Sequence, residues 1–160
     1  MIINTRDFGQ IEVSKKELLT FPAGVFAFED LRTFALISPL GEDVYPKWLQ
    51  STDGTAPCFI VFDPAMVDTQ YNEKNIAALE HRQLRLIKAD ENSPNNAEVS
   101  FLLIATVPSD FKKTTINMKA PVVVNYTERL AAQVILENDY DVKFPLYAPD
   151  APESETAGDE

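Results

Sequence analysis

The sequence predicts an all-β domain, either a compact antiparallel barrel or a sandwich, with one or two short helices. Three observations indicate this class: many short apolar, β-branched or aromatic runs, 11 prolines that mark their ends, and little helical spacing. At 160 residues, 45% of them hydrophobic, the chain fits one globular domain that buries about 70% of its unfolded surface. We expect residues 1–147 to form a β-barrel-like domain and residues 148–160 to form a disordered acidic tail.

Four short runs in the first half of the chain have the pattern of strands. Residues 9–13 and 18–21 are separated by residues 14–17, which fit one helical turn equally well. Residues 34–38 and Cys58–Phe62 are apolar, β-branched or aromatic, and a proline closes each of them. Each run is long enough for a strand and too short for an ordinary helix.

One segment is typical of a helix, and two segments that follow it are typical of strands. In residues 72–82, Asn72 is placed to cap a helix, Glu73 lies in its first turn, and the apolar residues have partial helical spacing. Residues 84–88 alternate between apolar and polar, as a strand does. Residues 99–107 are the longest candidate strand, and their nearly continuous apolarity predicts burial on both faces.

Residues 114–136 are the most informative stretch of the chain. They contain two β-rich apolar runs, residues 122–124 and residues 134–136, on either side of a polar turn. This arrangement predicts a β-hairpin.

Three side-chain amides accompany the predicted hairpin, those of Asn117, Asn125 and Gln133. A polar group that is buried without a partner costs roughly 1–3 kcal/mol. Each amide is therefore either bonded to the backbone or displayed to a binding partner. Neither alternative places a nucleophile, a base or a metal ligand here, so the stretch favours binding over catalysis.

The charge of the chain is strongly and unevenly negative. The formal net charge is −11, and residues 89–160 carry 13 acidic and 5 basic side chains. Binding to nucleic acid or to an anionic membrane surface needs the opposite sign, so neither is expected as a direct partner. A basic protein partner is favoured. Residues 148–160 hold five acids, no base and no apolar residue larger than alanine, and this composition predicts disorder.

The sequence contains little that is typical of an enzyme. The single histidine, His81, lies between two charged residues of the predicted helix and is expected on a solvated face. The single cysteine, Cys58, precedes an apolar run and is expected to be a small core residue. Nucleotide-binding glycine motifs and a complete calcium loop are absent from the sequence, so no cofactor or metal is expected. Without a signal peptide or an apolar run of membrane-spanning length, the predicted location is the cytoplasm.

Two other segments supply candidate contact or structural residues. Trp48, the only tryptophan, is either a core residue or an interface anchor, and Gln50 lies two positions after it. Residues 21–29 predict a turn around which several phenylalanines pack. The candidate structural residues are Phe21, Pro22, Gly24, Phe28 and Glu29 of this turn, together with Pro121 of the hairpin region.

Taken together, these segments resemble the FliW family of flagellar assembly factors. The matching segments, in chain order, are residues 3–9, 21–29, 48–51 and 59–64, Tyr71, residues 106–108 and 117–121, Asn125, Arg129, and residues 133–136. They cover nearly the whole chain apart from the tail, and their order and spacing are more specific than any one of them. Where the family usually has Gly-Phe-Glu, this chain has Ala27-Phe28-Glu29.

The resemblance implies a non-enzymatic, β-barrel-like binding protein. Family members bind newly made flagellin and also bind CsrA, a small basic RNA-binding regulator, which prevents CsrA from repressing flagellin translation. The resemblance therefore implies flagellin and CsrA as partners, with Trp48, Gln50, Asn117, Asn125 and Gln133 as candidate contact residues. We expect the free protein to be a monomer.

Two alternative functions remain open from the sequence. One is a generic acidic binding module or chaperone for a different basic protein. The other is a hydrolase that uses carboxylates such as Asp53 and Asp63, which requires a concave pocket with a raised carboxylate pKa.

Overall fold

The computed structural model of the chain describes residues 1–90 and 98–147, and strands dominate this part. The first six strands are β1 (Ile2–Asn4), β2 (Gln10–Glu12), β3 (Leu18–Thr20), β4 (Thr33–Ile37), β5 (Lys47–Ser51) and β6 (Cys58–Phe62). The others are β7 (Val99–Thr106), β8 (Thr115–Ile116), β9 (Val122–Asn125), β10 (Leu130–Gln133) and β11 (Phe144–Pro145). The helices are α1 (Tyr71–Ala77) and α2 (His81–Leu86), and short 3-10 turns span Lys15–Glu17, Pro64–Met66 and Phe111–Lys113.

Seven of the strands close into a barrel. Their order is β7-β6-β5-β4-β3-β10-β9, and β9 pairs again with β7 to complete the ring. Every pairing in the ring is antiparallel except that of β3 with β10, which is parallel. The longest strand, β7, closes the ring because its first half pairs with β9 and its second half pairs with β6. Its last two residues also pair with β8, which lies outside the ring. The predicted all-β class is therefore confirmed, and of the two predicted architectures the structure has the barrel.

The interior of the barrel is a compact apolar core. Every second residue of a strand points into it, including phenylalanine and leucine side chains of β3 to β5. Its buried members are Leu19, Phe21, Val25, Phe34, Leu36, Leu49, Val61, Leu102, Val122, Val124 and Ala131. Burial of this much apolar surface is the main stabilising contribution in a domain of this size.

Two other elements of the chain cover parts of the outer barrel wall. The β1–β2 hairpin places Ile3 and the nearby Val13 against Ala35 and Ile37 of β4. On another side, the two helices pack against the outward residues of β7, β9 and β10, among them Phe101, Val123 and Ala132. Because β7 is covered outside and filled inside, Phe101, Leu102 and Leu103 are all buried, which confirms the predicted burial of this strand on both faces.

The structure corrects the predicted helix and the strand after it. Residues 72–82 do not form one helix, because α1 ends at Ala77 and α2 begins at His81. Asn72 lies within α1 and its Oδ1 accepts a hydrogen bond of 2.8 Å from the backbone N–H of Phe101, so it ties the helix to β7 instead of capping it. Most of residues 84–88 belongs to α2 and the turn after it, because the alternation there coincides with a short helix that buries Gln83 and Ile87.

The predicted hairpin exists, but its second strand is displaced. β9 includes the predicted run 122–124, whereas β10 covers Leu130–Gln133 and residues 134–136 follow it. The turn closes at Arg129, whose φ of 57° is left-handed, and Leu130 then pairs with Asn125. Ala131 and Ala132 have weak strand propensity but are almost fully buried in the barrel wall. Their place in a strand depends on this packing, so strand propensity did not predict it.

Candidate protein-binding surface

Trp48 lies on the outward face of β5, where the loop after β1 reaches it. Its indole Nε1 donates a hydrogen bond of 2.9 Å to Asp7 Oδ2, and its ring packs edge-on against Phe8 at 5.1 Å between centroids. Arg6 pairs with Asp7 at 3.0 Å. Hydrogen bonding from Arg6, aided by the indole N–H, lowers the pKa of the Asp7 carboxyl. The half-buried indole is thus held in one orientation with part of its surface open.

Gln50 is fully buried and joins three segments of backbone. Its Oε1 accepts a hydrogen bond of 2.9 Å from the backbone N–H of Arg6. Its Nε2 donates to the carbonyl oxygens of Ser51 and Gly54, at 3.2 and 3.0 Å. In the folded domain the Gln50 amide is thus bonded to the backbone of Arg6, Ser51 and Gly54. A direct contact between this amide and a binding partner stays a prediction.

Asn125 is also fully buried, at the end of β9. Its Nδ2 donates to the carbonyl oxygens of Ile87 and Lys88, at 2.8 and 3.2 Å, just after α2. Its Oδ1 accepts from the backbone N–H groups of Thr127 and Glu128, at 3.0 and 3.2 Å. One side chain thus shapes the β9–β10 turn and anchors the helical side of the barrel to it.

Asn117 and Gln133 meet at the loop that precedes β9. Asn117 Oδ1 accepts from the backbone N–H groups of Lys119 and Ala120, at 3.0 and 2.9 Å. Gln133 donates to the carbonyl oxygen of Ala120 at 3.1 Å and accepts from the backbone N–H of Phe26 at 3.0 Å. Both side chains are partly exposed, and through Gln133 they connect this loop to the turn at residues 21–29.

The turn at residues 21–29 combines a buried base with an exposed tip. Phe21 is buried in the barrel, whereas Phe26 and Phe28 are 43% and 39% exposed. Gly24 has a φ of 71°, and a Cβ there would lie 2.4 Å from the carbonyl oxygen of Glu29, so this position requires glycine. Pro22 precedes this glycine. Phe28 also packs edge-on against Phe59, at 6.3 Å between ring centroids.

The loop that precedes β9 ends at Pro121, which leads directly into the β9–β10 hairpin. The carbonyl oxygen of Pro121 accepts a hydrogen bond of 3.0 Å from the backbone N–H of Val134. In the tip of the 21–29 turn, Glu29 Oε2 accepts from the backbone N–H of Ala27 at 3.2 Å. The structural roles of Pro121 and Glu29 stay predictions.

An apolar groove of about 480 Å³ lies on the outer wall over β5 and β6. Trp48, Ile60 and Phe62 form its floor, because they point outward where Leu49 and Val61 point into the barrel. The remaining lining residues are Tyr45, Pro46, Met66, Val107, Phe111, Thr114, Leu146 and Tyr147. Apart from Trp48, these residues were missed by sequence reasoning, since the lining comes from four stretches of the chain that only the fold brings together: residues 45–48, 60–66, 107–114 and 146–147.

A second cleft, of about 720 Å³, is lined mainly by polar residues near one end of the barrel. Arg129 donates to the carbonyl oxygen of Leu18 at 3.1 Å and lies over the ring of Tyr126. Desolvation raises the pKa of the Tyr126 phenol and that of Tyr45. The cations of this cleft, Lys16, Lys47 and Arg129, are matched by the carboxylates of Glu17, Glu42, Asp43 and Glu98. Three cations against four carboxylates leave little net charge, so the cleft does not select a ligand of one charge.

The residue types associated with catalysis are dispersed over the described residues. His81 is exposed at the start of α2, in agreement with the predicted solvated position. Cys58 is buried, and desolvation raises the pKa of its thiol to about 11. Asp63 caps the following 3-10 turn by accepting from the backbone N–H of Ala65 at 3.0 Å, and Asp53 is exposed.

Neither a metal cluster nor a membrane span occurs in the part of the chain that the structure describes. Residues 1–90 and 98–147 contain no group of three or more histidine, cysteine, aspartate or glutamate side chains that could hold a metal ion. None of the helices formed by these residues is long and apolar enough to cross a membrane.

The closed barrel, its two outer coverings and its open apolar groove define a β-barrel domain with a surface suited to protein binding. Residues 2–146 match the model of the FliW protein family. The chain therefore belongs to the FliW family.

Named relatives and a solved structure agree with this assignment. The flagellar assembly factor FliW of Thermoanaerobacter pseudethanolicus is 33% identical over 91% of this chain and 93% of its own length. The corresponding protein of an Exiguobacterium species is 37% identical, with 91% and 94% of the two chains covered. A crystal structure of the flagellar assembly factor FliW superposes with a TM-score of 0.76 at 28% identity, covering 92% of this chain and 98% of the other.

Proposed function

We propose that this protein is a cytoplasmic flagellar assembly factor that binds flagellin and also binds CsrA, and that it thereby relieves repression of flagellin mRNA translation by CsrA. The observation that carries the proposal is the match of residues 2–146 to the FliW family, which includes every element of the barrel and its coverings. In this function the protein acts by binding other proteins and catalyses no reaction.

The surface chemistry supports a binding role. The net charge of −11 favours encounter with a basic protein such as CsrA and disfavours contact with RNA itself. The groove over β5 and β6 offers apolar side chains and an oriented indole to a partner. Both features suit a protein that associates reversibly with two different proteins.

Binding measurements with purified proteins test this function. The purified chain is titrated separately with flagellin and with CsrA from the same organism, and with an unrelated basic protein of similar size as the control. We expect saturable binding to the first two and only weak, salt-sensitive binding to the third. Comparable affinity for all three would favour the alternative of a generic acidic binding module.

A translation assay tests the regulatory part. A reporter carrying the flagellin leader is translated in vitro with CsrA, with and without this protein. We expect repression by CsrA to be relieved as this protein is added, and to return when flagellin is added in excess. If CsrA repression is unaffected although both proteins bind, the regulatory role is wrong.

A further inference from the structure

We propose that the apolar groove over β5 and β6 binds one face of an amphipathic helix whose remaining surface is basic, presented by a protein partner. This inference rests on the proposed function, because it names the surface and the partner chemistry through which a protein-binding factor works. The groove is the part of the described outer wall that lies between the β1–β2 hairpin and the helical side and is left open by both.

The rim of the groove is unusually apolar for a surface in contact with water. Met66, Val107, Phe111 and Tyr147 are 54%, 44%, 58% and 45% exposed, although each is large and apolar or aromatic. Phe111 and Tyr147 pack edge-on at 5.9 Å between ring centroids, which places them as one wall. Exposed apolar side chains gathered around a concave floor are typical of a protein-binding site.

The pairing of the strands favours a helix over an extended peptide as the occupant. β5 is bonded to β4 and β6, and β6 is bonded to β5 and β7, so the floor offers no free backbone edge. At the rim, β11 has two residues and one of them, Pro145, lacks an N–H. An extended peptide would therefore leave its own backbone groups unpaired, whereas a helix satisfies them internally and contributes side chains alone.

The net charge of the chain favours a basic polar face on that helix. Asp63 and Asp110 directly flank the segments that carry Met66 and Phe111, although Lys112 and Lys113 follow Phe111. The chain as a whole carries a net charge of −11, so a basic face on the partner helix is favoured over an acidic one.

The single tryptophan makes the test direct, because Trp48 lies in the floor of the groove. The full chain is titrated with a tryptophan-free helical peptide of about 18 residues that carries leucine at helical spacing and lysine elsewhere. One control peptide has the same composition in an order without an apolar face, and another has glutamate in place of lysine. We expect the first peptide to change Trp48 fluorescence saturably, and each control to bind at least about tenfold more weakly.

Matched variants locate the peptide. Met66→Ser and Phe111→Ser should each weaken its binding about fivefold or more. Leu40→Ser and Ile135→Ser, at residues that are 56% and 58% exposed outside the groove, should leave it unchanged. Equal binding by all four variants, or no change in Trp48 fluorescence, would overturn the proposal.

Two further outcomes would assign the groove to another occupant. If the free protein dimerises in sedimentation experiments and Phe111→Ser abolishes the dimer, a second copy of the chain occupies the groove. If removal of residues 148–160 changes Trp48 fluorescence in the free protein, the chain covers its own groove. Failure of the wild-type chain to bind flagellin and CsrA would refute the proposed function, whereas flagellin and CsrA binding by Phe111→Ser at wild-type strength would refute only the groove.

Discussion

The buried amides of Gln50 and Asn125 show how single side chains replace regular pairing where strands end. Each bonds to backbone groups in loops beside the strand ends, and each spans segments that are distant in sequence. A buried carbonyl or N–H without such a partner is costly, so an amide with both donor and acceptor atoms is well suited to these positions. The sequence marked these residues as unusual, but could not show whether the amides face the backbone or a partner.

Substitution of Asn125 measures this role. Asn125→Ala removes four hydrogen bonds to backbone and leaves the buried carbonyl of Ile87 without its side-chain donor. We expect the free energy of unfolding to fall by roughly 1–3 kcal/mol, measured by chemical denaturation. Asn4→Ala, at an exposed asparagine, is the control and should change it by less than about 0.5 kcal/mol. An unchanged stability of Asn125→Ala would contradict the structural role.

Cys58 provides a second prediction for a single residue. Burial raises the pKa of its thiol to about 11, so the folded protein holds almost no thiolate at about pH 8. A thiol reagent should therefore react with the native protein much more slowly than with the denatured chain. Ser109→Cys in a Cys58→Ala background places a thiol at an exposed position and should react rapidly.

The same shift has a consequence for stability. Because the folded-state pKa lies above the ordinary unfolded value of about 8.5, Cys58 contributes stability that is fully present below about pH 8.5. This contribution is lost as the pH rises toward about 11. Rapid reaction of native Cys58 at neutral pH would show that the thiol is accessible and would refute both statements.

At the scale of elements, the turn at residues 21–29 depends on two left-handed backbone positions. Gly24 and Ala27 have φ values of 71° and 72°, but only Gly24 lacks room for a Cβ. The alanine at position 27, where the family usually has glycine, therefore retains the backbone shape at an energetic cost. The departure from the family pattern changes the stability of the turn and leaves its conformation in place.

Substitutions at these two positions should have opposite effects on stability. Gly24→Ala should lower the free energy of unfolding by more than about 2 kcal/mol, because a left-handed alanine is strained and its Cβ meets the backbone of Glu29. Ala27→Gly should raise it by roughly 0.5 kcal/mol, since the relief of strain exceeds the added entropy of the unfolded chain. Gly54→Ala, where a Cβ meets nothing within 4 Å, is the control. Destabilisation by Ala27→Gly would contradict this account.

The strands that were predicted correctly are those with the clearest apolar patterns in the sequence. Cys58–Phe62 was predicted at its observed bounds, and residues 99–107 differ from β7 by one residue, because both are continuous apolar runs. Neither β1 nor β5 was predicted as a strand. β5 begins just after a proline, and its polar Gln50 faces outward under a loop that no local pattern reveals. The break between α1 and α2 was also missed, because residues 78–80 contain neither a proline nor a glycine to mark it.

At the scale of the whole molecule, the fold determines which apolar surfaces remain open. Composition correctly indicated a β-domain, and resemblance to a family identified the barrel, but neither revealed the groove. Its lining depends on which strands lie next to each other and on where the β1–β2 hairpin and the helices cover the wall. Both depend on how the whole barrel closes, so the groove cannot be predicted from the sequence of any one segment. The prediction of disorder for residues 148–160 lies outside the described residues and remains a prediction.

We expect the acidic tail to contribute to long-range attraction of a partner, and the barrel to provide specific recognition. Truncation after Tyr147 removes five acids and takes the net charge from −11 to −6, but removes no apolar residue larger than alanine. We expect the melting temperature to stay nearly unchanged, because such a segment has little apolar surface to bury. Association rates with CsrA, measured across a salt series, should fall with rising salt for both proteins and less steeply for the truncated one, since surface charges are screened over about 10 Å at 0.1 M.

The matched control is a full-length variant in which the five tail acids are replaced by their amides. It keeps the length of the chain and should reproduce the truncated protein in its salt dependence, because the effect belongs to charge and not to contact. Both proteins should still distinguish flagellin and CsrA from an unrelated basic protein, because recognition depends on the folded surface. Complete loss of either interaction on truncation, with binding retained in the amide variant, would place a specific contact in the tail and contradict the assignment of binding to the barrel.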